Sequence, residues 1–313
     1  MEKNTTNYKV PNINFIGNRK IAFSISAALI AITIIALVLR GGLNFSVDFV
    51  GGTELEIYFQ EDVRSEIGKI RQEVSTLGLG TPEVRLVRIG ETQGTGMQIT
   101  LKAQGEGVNV REQVSNVLTQ NFEGKNFEVL RVETVGPRIG KELQADALKA
   151  ILLSIIVIVL YLAIRFKYPY GIASVVALAH DAFLTVGLFA LTGWEFSIPV
   201  LAAVLTVVAY SINSTIVIFD RVRENLADRT FEKMSFDVLV NKSVNETFTR
   251  NIVTTGSTLF VVLSIFFVFF NSGNVLENFA AALTFGFTIG TFSSLYIACA
   301  ILVMWNKKWA INK

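Results

Sequence analysis

The chain is expected to fold as an α-helical membrane bundle of six transmembrane helices carrying one inserted extracytoplasmic α+β domain. Three observations lead there. The 313 residues are 51% hydrophobic and only 17% charged, with a mean hydropathy of +0.49, which is a membrane composition and not that of a soluble domain. Six apolar segments are long enough to cross a bilayer, which takes about 20 residues. Between the first and second of them lies a stretch of mixed polarity, 40–147, of ordinary small-domain length.

The N-terminal tail, 1–20, carries Lys3, Lys9, Arg19 and Lys20. The first span, 21–39, is expected to remain uncleaved. Its apolar run is too long for a signal-peptide core, and no small-x-small site closes it before Arg40-Gly41-Gly42.

The 40–147 segment alternates strand and helix signals. Strands are expected at 44–49, 53–59, 83–89, 97–102 and 127–135, each rich in Val, Ile, Phe or Leu. Val63, Ile67, Ile70, Val74 and Leu77 recur at helical spacing, as do Val110, Val114, Val117 and Leu118. Gly51-Gly52 reads as a tight turn or bulge. This order suggests a ferredoxin-like sandwich with both helices on one sheet face.

The remaining spans are 148–165, 171–192, 198–219, 251–270 and 278–305. Lysine and arginine concentrate in the N-terminal tail, at Arg165 and Lys167, in the 220–250 loop and in the 306–313 tail. The short loops 193–197 and 271–277 have none. By the positive-inside rule both termini are cytoplasmic and the inserted domain lies outside. The 220–250 loop mixes charge with Phe231, Met234, Phe236, Val238, Leu239 and Val240, so an amphipathic helix on the membrane surface is expected there.

Polar residues inside the spans mark function or specific packing. Ser211, Asn213, Ser214 and Thr215 interrupt the fourth span. Asp181 sits within the third, where a central Asp costs about 2.5–3.5 kcal/mol on insertion scales; it is either a proton site or a structural carboxylate. The neighbouring His180 is expected on a different helix face, because positions i and i+1 diverge. Beyond the fourth span, Asp220, Arg221, Arg223 and Glu224 form an interfacial ion cluster, with Arg221 and Glu224 spaced to pair. Gly286 and Gly290 in the sixth span permit close helix approach.

Several chemistries have no residues to support them. One cysteine, Cys299, excludes a disulfide within the chain, and one histidine leaves no set for a zinc or haem site. No metal or other cofactor is expected. There is no nucleotide-binding glycine loop, no nucleophile–base pair, and no sign of nucleic-acid binding.

Five motifs occur in order: Asp48-Phe49-Val50-Gly51-Gly52-Thr53, Val135-Gly136-Pro137-Arg138-Ile139-Gly140, Ala179-His180-Asp181, Tyr210-Ser211-Ile212-Asn213 leading into Phe219-Asp220-Arg221-Val222-Arg223-Glu224-Asn225, and Asn245-Glu246-Thr247-Phe248-Thr249-Arg250. Together they closely resemble the SecF family, the smaller membrane partner of SecD in bacterial protein export. The resemblance extends from about Gly42 to the sixth span. It implies a half-transporter of the resistance–nodulation–division type in the bacterial plasma (inner) membrane. Its implied partners are SecD, the SecYEG channel, SecA and the translocating unfolded polypeptide, and it is thought to use proton flow for late export steps.

The resemblance also implies that Arg250 faces an intramembrane polar site opposite a SecD carboxylate, with Asn213 and Ser214 beside it. SecF proteins commonly carry Asp where this chain has Ser214, so the titratable group must come from Asp181 or from another chain. The alternative reading is a stand-alone proton-driven small-molecule exporter half of the same superfamily.

Overall fold

A computed structural model describes residues 11–89, 94–102, 109–122 and 124–309, the last four by backbone alone. The expected tail residues 1–10 and 310–313 lie outside the described residues.

Among the described residues six helical segments are long and apolar enough to cross a membrane, as the apolar runs require. The first is α1 (Arg19–Arg40). A short helical turn, α2 (Val47–Val50), leads into the inserted domain. There β1 (Gly52–Phe59) and α3 (Ile67–Ser75) are followed by β2 (Glu83–Val87), β3 (Thr95–Lys102), α4 (Val110–Asn121) and β4 (Phe127–Val135). The bundle resumes with α5 (Pro137–Arg165), α6 (Tyr168–Thr192), α7 (Ile198–Ala227) and α8 (Phe236–Val268). The last segment comprises α9 (Val275–Phe292), a π-helical stretch Ser293–Ala298, and α10 (Cys299–Trp309).

The four strands form one antiparallel sheet in the order β2-β3-β1-β4. Alternation decides which face is buried. Leu55, Ile57 and Phe59 of β1, with Met97, Ile99 and Leu101 of β3, pack against Ile70 and Val74 of α3 and Val114 and Leu118 of α4. Both helices therefore cover one face. The opposite face carries Glu54, Arg85 and Gln98 and looks toward the bundle.

The expected strand at 44–49 does not form. Asn44–Ser46 pairs instead with the α6–α7 link: Ser46 N donates to Phe196 O and Phe196 N donates to Asn44 O. The strand signal was satisfied by a partner about 150 residues away rather than by the sheet. Gly51 (φ 77°) ends α2, and a Cβ there would lie 2.9 Å from Pro137 Cα. Gly52 (φ 142°) opens β1 where a Cβ would fall 2.3 Å from Leu101 O. The paired glycines thus let the stem entering the domain lie directly against the stem leaving it.

The inserted domain also touches the bundle away from its stems. Arg88 N donates to Asn271 O in the α8–α9 link, 2.8 Å away. At the entering stem, Lys102 Nζ of β3 donates to Asn44 Oδ1 at 2.5 Å, and within the domain it donates to Glu83 Oε1 at 2.9 Å.

Residues 220–250 do not form a separate surface helix. Positions 220–227 continue α7, and 236–250 open α8. Leu239, Val240 and Val244 are fully buried in the bundle core, and Phe231, Met234 and Phe236 pack against it. Most of the apolar residues read as lipid-seeking are covered by this chain's own helices, and Val238 is left exposed. The segment before α1 is held there too: Asn245 Oδ1 accepts from Ile13 N at 2.8 Å, Asn241 Oδ1 accepts from Ile16 N at 3.1 Å, and both side-chain amides donate to Ile13 O.

Candidate functional site in the helical bundle

Asp181 is completely buried at the crossing of α6, α7 and the π-helical stretch. Its Oδ2 accepts from Ser211 Oγ and from Ser293 Oγ, both at 2.6 Å. Its Oδ1 lies 3.0 Å from His180 Nδ1. A buried carboxylate needs such partners, since an unpaired one carries a large desolvation cost. Gly290 makes the approach possible: a Cβ there would meet Ser211 Oγ at 3.2 Å and Asp181 Oδ2 at 3.6 Å. One turn earlier, Gly286 admits Val207, so the glycine spacing in the last span serves the α7–α9 contact.

The π-helical stretch has its own role. Its widened turn sends two consecutive serines inward: Ser293 to Asp181, and Ser294 to Ser211 O (3.3 Å) and Thr215 Oγ1 (2.9 Å). Single π turns inside helices recur at functional positions. Sequence reasoning passed over Ser293; the Ser-Ser pair within an apolar run was the available signal.

The position of His180 corrects the expectation of a separate face. The Cβ directions of i and i+1 do diverge on a helix, but the imidazole is long enough for Nδ1 to return to the short Asp181 carboxylate. Its Nε2 is buried and has no partner among the described residues.

The remaining expected site residues do not join Asp181 in one pocket. Ser214 is buried at 7% exposure on α7, whereas Asn213 is exposed. Arg250 is also exposed and lies in the interior of α8, fourteen residues after its start at Phe236, about 21 Å along the helix. Helices α7 and α8 run antiparallel. Tyr210 donates to Thr254 O (3.0 Å), Arg221 Nε to Glu246 Oε2 (2.6 Å), and Asn225 Nδ2 to Ser243 Oγ (2.9 Å). That register puts Arg250 about one turn from Asn213 along the α7–α8 seam. Among the described residues Arg250 has no hydrogen bond or ion pair.

At the end of the bundle away from the inserted domain, the four expected interface charges are engaged internally. Asp220 accepts from Arg165 at 2.6 Å and lies 3.5 Å from Arg223. Arg221 bridges Glu224 (2.9 Å) and Glu246 (2.6 Å). Exposed pairs of this kind each contribute about 0–1 kcal/mol; Arg165–Asp220 links α5 to α7, and Arg221–Glu246 links α7 to α8. Glu246 was not foreseen as the partner. Among the described residues no group of three or more His, Cys, Asp or Glu is placed to hold a metal ion.

Six spanning helices, a ferredoxin-like domain inserted after the first, and a hydroxyl-bound carboxylate between helices define a polytopic membrane protein of the transport class. Residues 113–308 match the model for the C-terminal part of the protein export membrane proteins SecD and SecF, and residues 37–63, which include Gly51-Gly52, match the SecD/SecF GG motif. The protein translocase subunit SecF of Desulfurispirillum indicum is 40% identical over 304 residues, covering 95% of this chain and 93% of the relative. The SecF of Calditerrivibrio nitroreducens is 36% identical over 94% of both chains.

Among solved structures, SecDF of Thermus thermophilus, described as a translocon-associated membrane protein, matches with a TM-score of 0.80 at 33% identity, covering 95% of this chain and 39% of that one. A structure of SecDF in the Super-membrane-facing form matches with a TM-score of 0.66 over the same shares. The chain belongs to the SecF family of protein translocase subunits.

Proposed function

We propose that this chain is the SecF-type half of a two-part protein-export accessory complex that uses proton flow across the bacterial plasma membrane for late movement of an exported polypeptide. The observation that supports this best is Arg250. It is a permanent cation inside a helix long enough to span the membrane, exposed on the bundle's outer surface, with no ion pair to a carboxylate among the described residues. Such a residue calls for an acidic partner from another polypeptide. The chain covers 39% of the SecDF relatives, which leaves room for a SecD part as that partner. SecYEG and SecA complete the assembly, and both termini of this chain lie in the cytoplasm.

An arginine does not release protons. Its role is to hold a facing carboxylate ionised and to lose that partner when the carboxylate is protonated. Asn213, one turn away, supplies a hydrogen-bonding amide at the same surface, and Ser214 supplies a hydroxyl where an acid is usual. Asp181, buried in the bundle core with hydroxyl and imidazole partners, is the second residue proposed to take part in coupling. Each elementary charge moved through the membrane potential supplies about 2.3 kcal/mol per 100 mV.

The reading is tested by purifying the tagged chain from its native membrane and by measuring export in vesicles of Arg250→Gln with the membrane potential imposed. Recovery of a SecD-like partner and loss of potential-driven stimulation are expected. Homodimers alone would favour the exporter reading, and undiminished stimulation would remove Arg250 from the site.

A further inference from the structure

A cavity of about 630 Å³ separates the helix-free face of the sheet from the α6–α7 and α8–α9 links. Five carboxylates line it (Asp48, Glu54, Glu133, Glu195 and Glu277) against two guanidiniums, Arg85 and Arg131. Most of these groups are engaged. Asp48 Oδ2 accepts from Ser46 Oγ at 3.0 Å and from Ile198 N at 3.3 Å. Glu277 Oε1 accepts from Asn271 N at 2.8 Å. Arg131 pairs with Glu133, and Arg85 pairs with Glu83, which also holds Lys102.

Glu195 differs. The residue is 93% buried, being 7% exposed, it lines the cavity, and its Oε1 has no hydrogen-bond partner among the described residues. Glu54, which lines the same cavity, has the Gln98 side chain as its hydrogen-bond partner among the described residues. A buried carboxylate oxygen without a donor costs about 1–3 kcal/mol or more, a cost that is relieved when the Glu195 carboxyl turns toward a donor held in the cavity it lines.

We propose that this cavity is a binding site for the ammonium or guanidinium group of a lysine or arginine side chain on an extended polypeptide, with Glu195 and Glu54 as its acceptors. The charge excess selects a cation. No set of three carboxylates converges closely enough for a metal among the described residues, whereas a long side chain tipped by several N–H donors reaches acceptors spread around a wide wall. The volume falls in the range of side-chain and small-ligand pockets, about 300–1,000 Å³. The identity of the polypeptide as an exported chain rests on the reading above.

Occupancy has a proton signature. Burial raises the Glu195 carboxyl above the ordinary range; Arg85 and Lys102 oppose the rise, while Glu83 and Asp48 add to it. Glu54 is pushed up to about 7 by burial, against the Gln98 hydrogen bond and with Glu195 and Glu133 adding to the rise and Arg131 opposing it. An entering cation favours the ionised acids, so binding releases protons and tightens as pH rises.

The test uses the full-length chain in nanodiscs of zwitterionic lipid and a short, unstructured, fluorescent lysine peptide, with its fully acetylated form and 1,5-diaminopentane as comparison probes. The lysine peptide is expected to bind more tightly at about pH 7.5 than at about pH 5.5. The Glu195→Gln variant should weaken it about tenfold, or 1.4 kcal/mol, and flatten the pH response. A photo-crosslinker at Asn274, which lines the cavity and leaves both acids in place, should capture the lysine peptide and not the acetylated one. Equal binding in Glu195→Gln, equal capture of both peptides, or binding of the diamine without the peptide would overturn the proposal. Peptide capture in a chain that recovers no SecD-like partner would keep the site and remove the export reading. Potential-driven export with no selective capture would do the reverse.

Discussion

Ser293 Oγ donates to Asp181 Oδ2 across 2.6 Å, although the two residues lie 112 positions apart. The contact ties the last membrane segment to the third at a point from which water is excluded. In such surroundings a hydroxyl–carboxylate bond is stronger than it would be in water, and leaving either partner alone is costly.

Asp181→Ala is therefore expected to lower the stability of the purified chain by about 1–3 kcal/mol, because it removes the acceptor of Ser211 and the partner of His180 Nδ1 and leaves Ser293 with Gly290 O alone. Asp181→Asn keeps an acceptor oxygen and should lose less. Thermal unfolding in detergent measures both. If Asp181 also handles a proton, the milder Asn variant will still lose potential-driven export.

Arg250→Gln should behave in the opposite way. The side chain has no partner in its own chain among the described residues, so unfolding should shift by less than about 0.5 kcal/mol while export falls. A large loss of stability would place Arg250 in an internal contact instead.

Gly52→Ala is expected to destabilise the inserted domain by about 1–3 kcal/mol, since φ is 142° and the new Cβ would press on Leu101 O at 2.3 Å. Limited proteolysis should cut within 52–135 in the variant while α6 and α7 stay protected.

The Glu54 carboxyl is pushed up from 4.5 to about 7 by burial. Within that window the folded chain holds a proton that the unfolded chain has lost, so stability from this group is full below about 4.5 and declines as pH rises through about 7. Glu54→Gln keeps the neutral form and should flatten the decline. Thermal unfolding followed across that window distinguishes the two.

Asn245→Ala should free the segment before α1, because Asn245 both donates to Ile13 O and accepts from Ile13 N. Hydrogen exchange at the Ile13 and Ile16 amides should accelerate, with little change in α6.

Much of this architecture was legible because length is decisive in a membrane. Apolar runs of about 20 residues have few alternatives, and Asp181 stood out as a charge within one. Four of the five expected strands formed, since their alternation is a local property. The fifth failed because Phe45 and Phe196 meet only in three dimensions. The apolar side of 236–250 suited lipid and protein equally, and the short α7–α8 link folded it onto the bundle. Ser293 escaped notice because a π turn alters which residues share a face, and no periodic pattern announces one. The Glu195 site was invisible for a different reason: its walls come from the sheet and from two loops.

The Arg88–Asn271 hydrogen bond sets the mechanical freedom of the inserted domain. Two covalent stems alone would leave a body free to turn about the line joining them. The bond to the α8–α9 link adds a third anchor off that line. The link in turn joins the helix that holds Arg250 to the one that leads to Ser293. Rotation of the domain must therefore either break this backbone bond and the neighbouring approach of Gly273 to Val87, or carry those two helices with it.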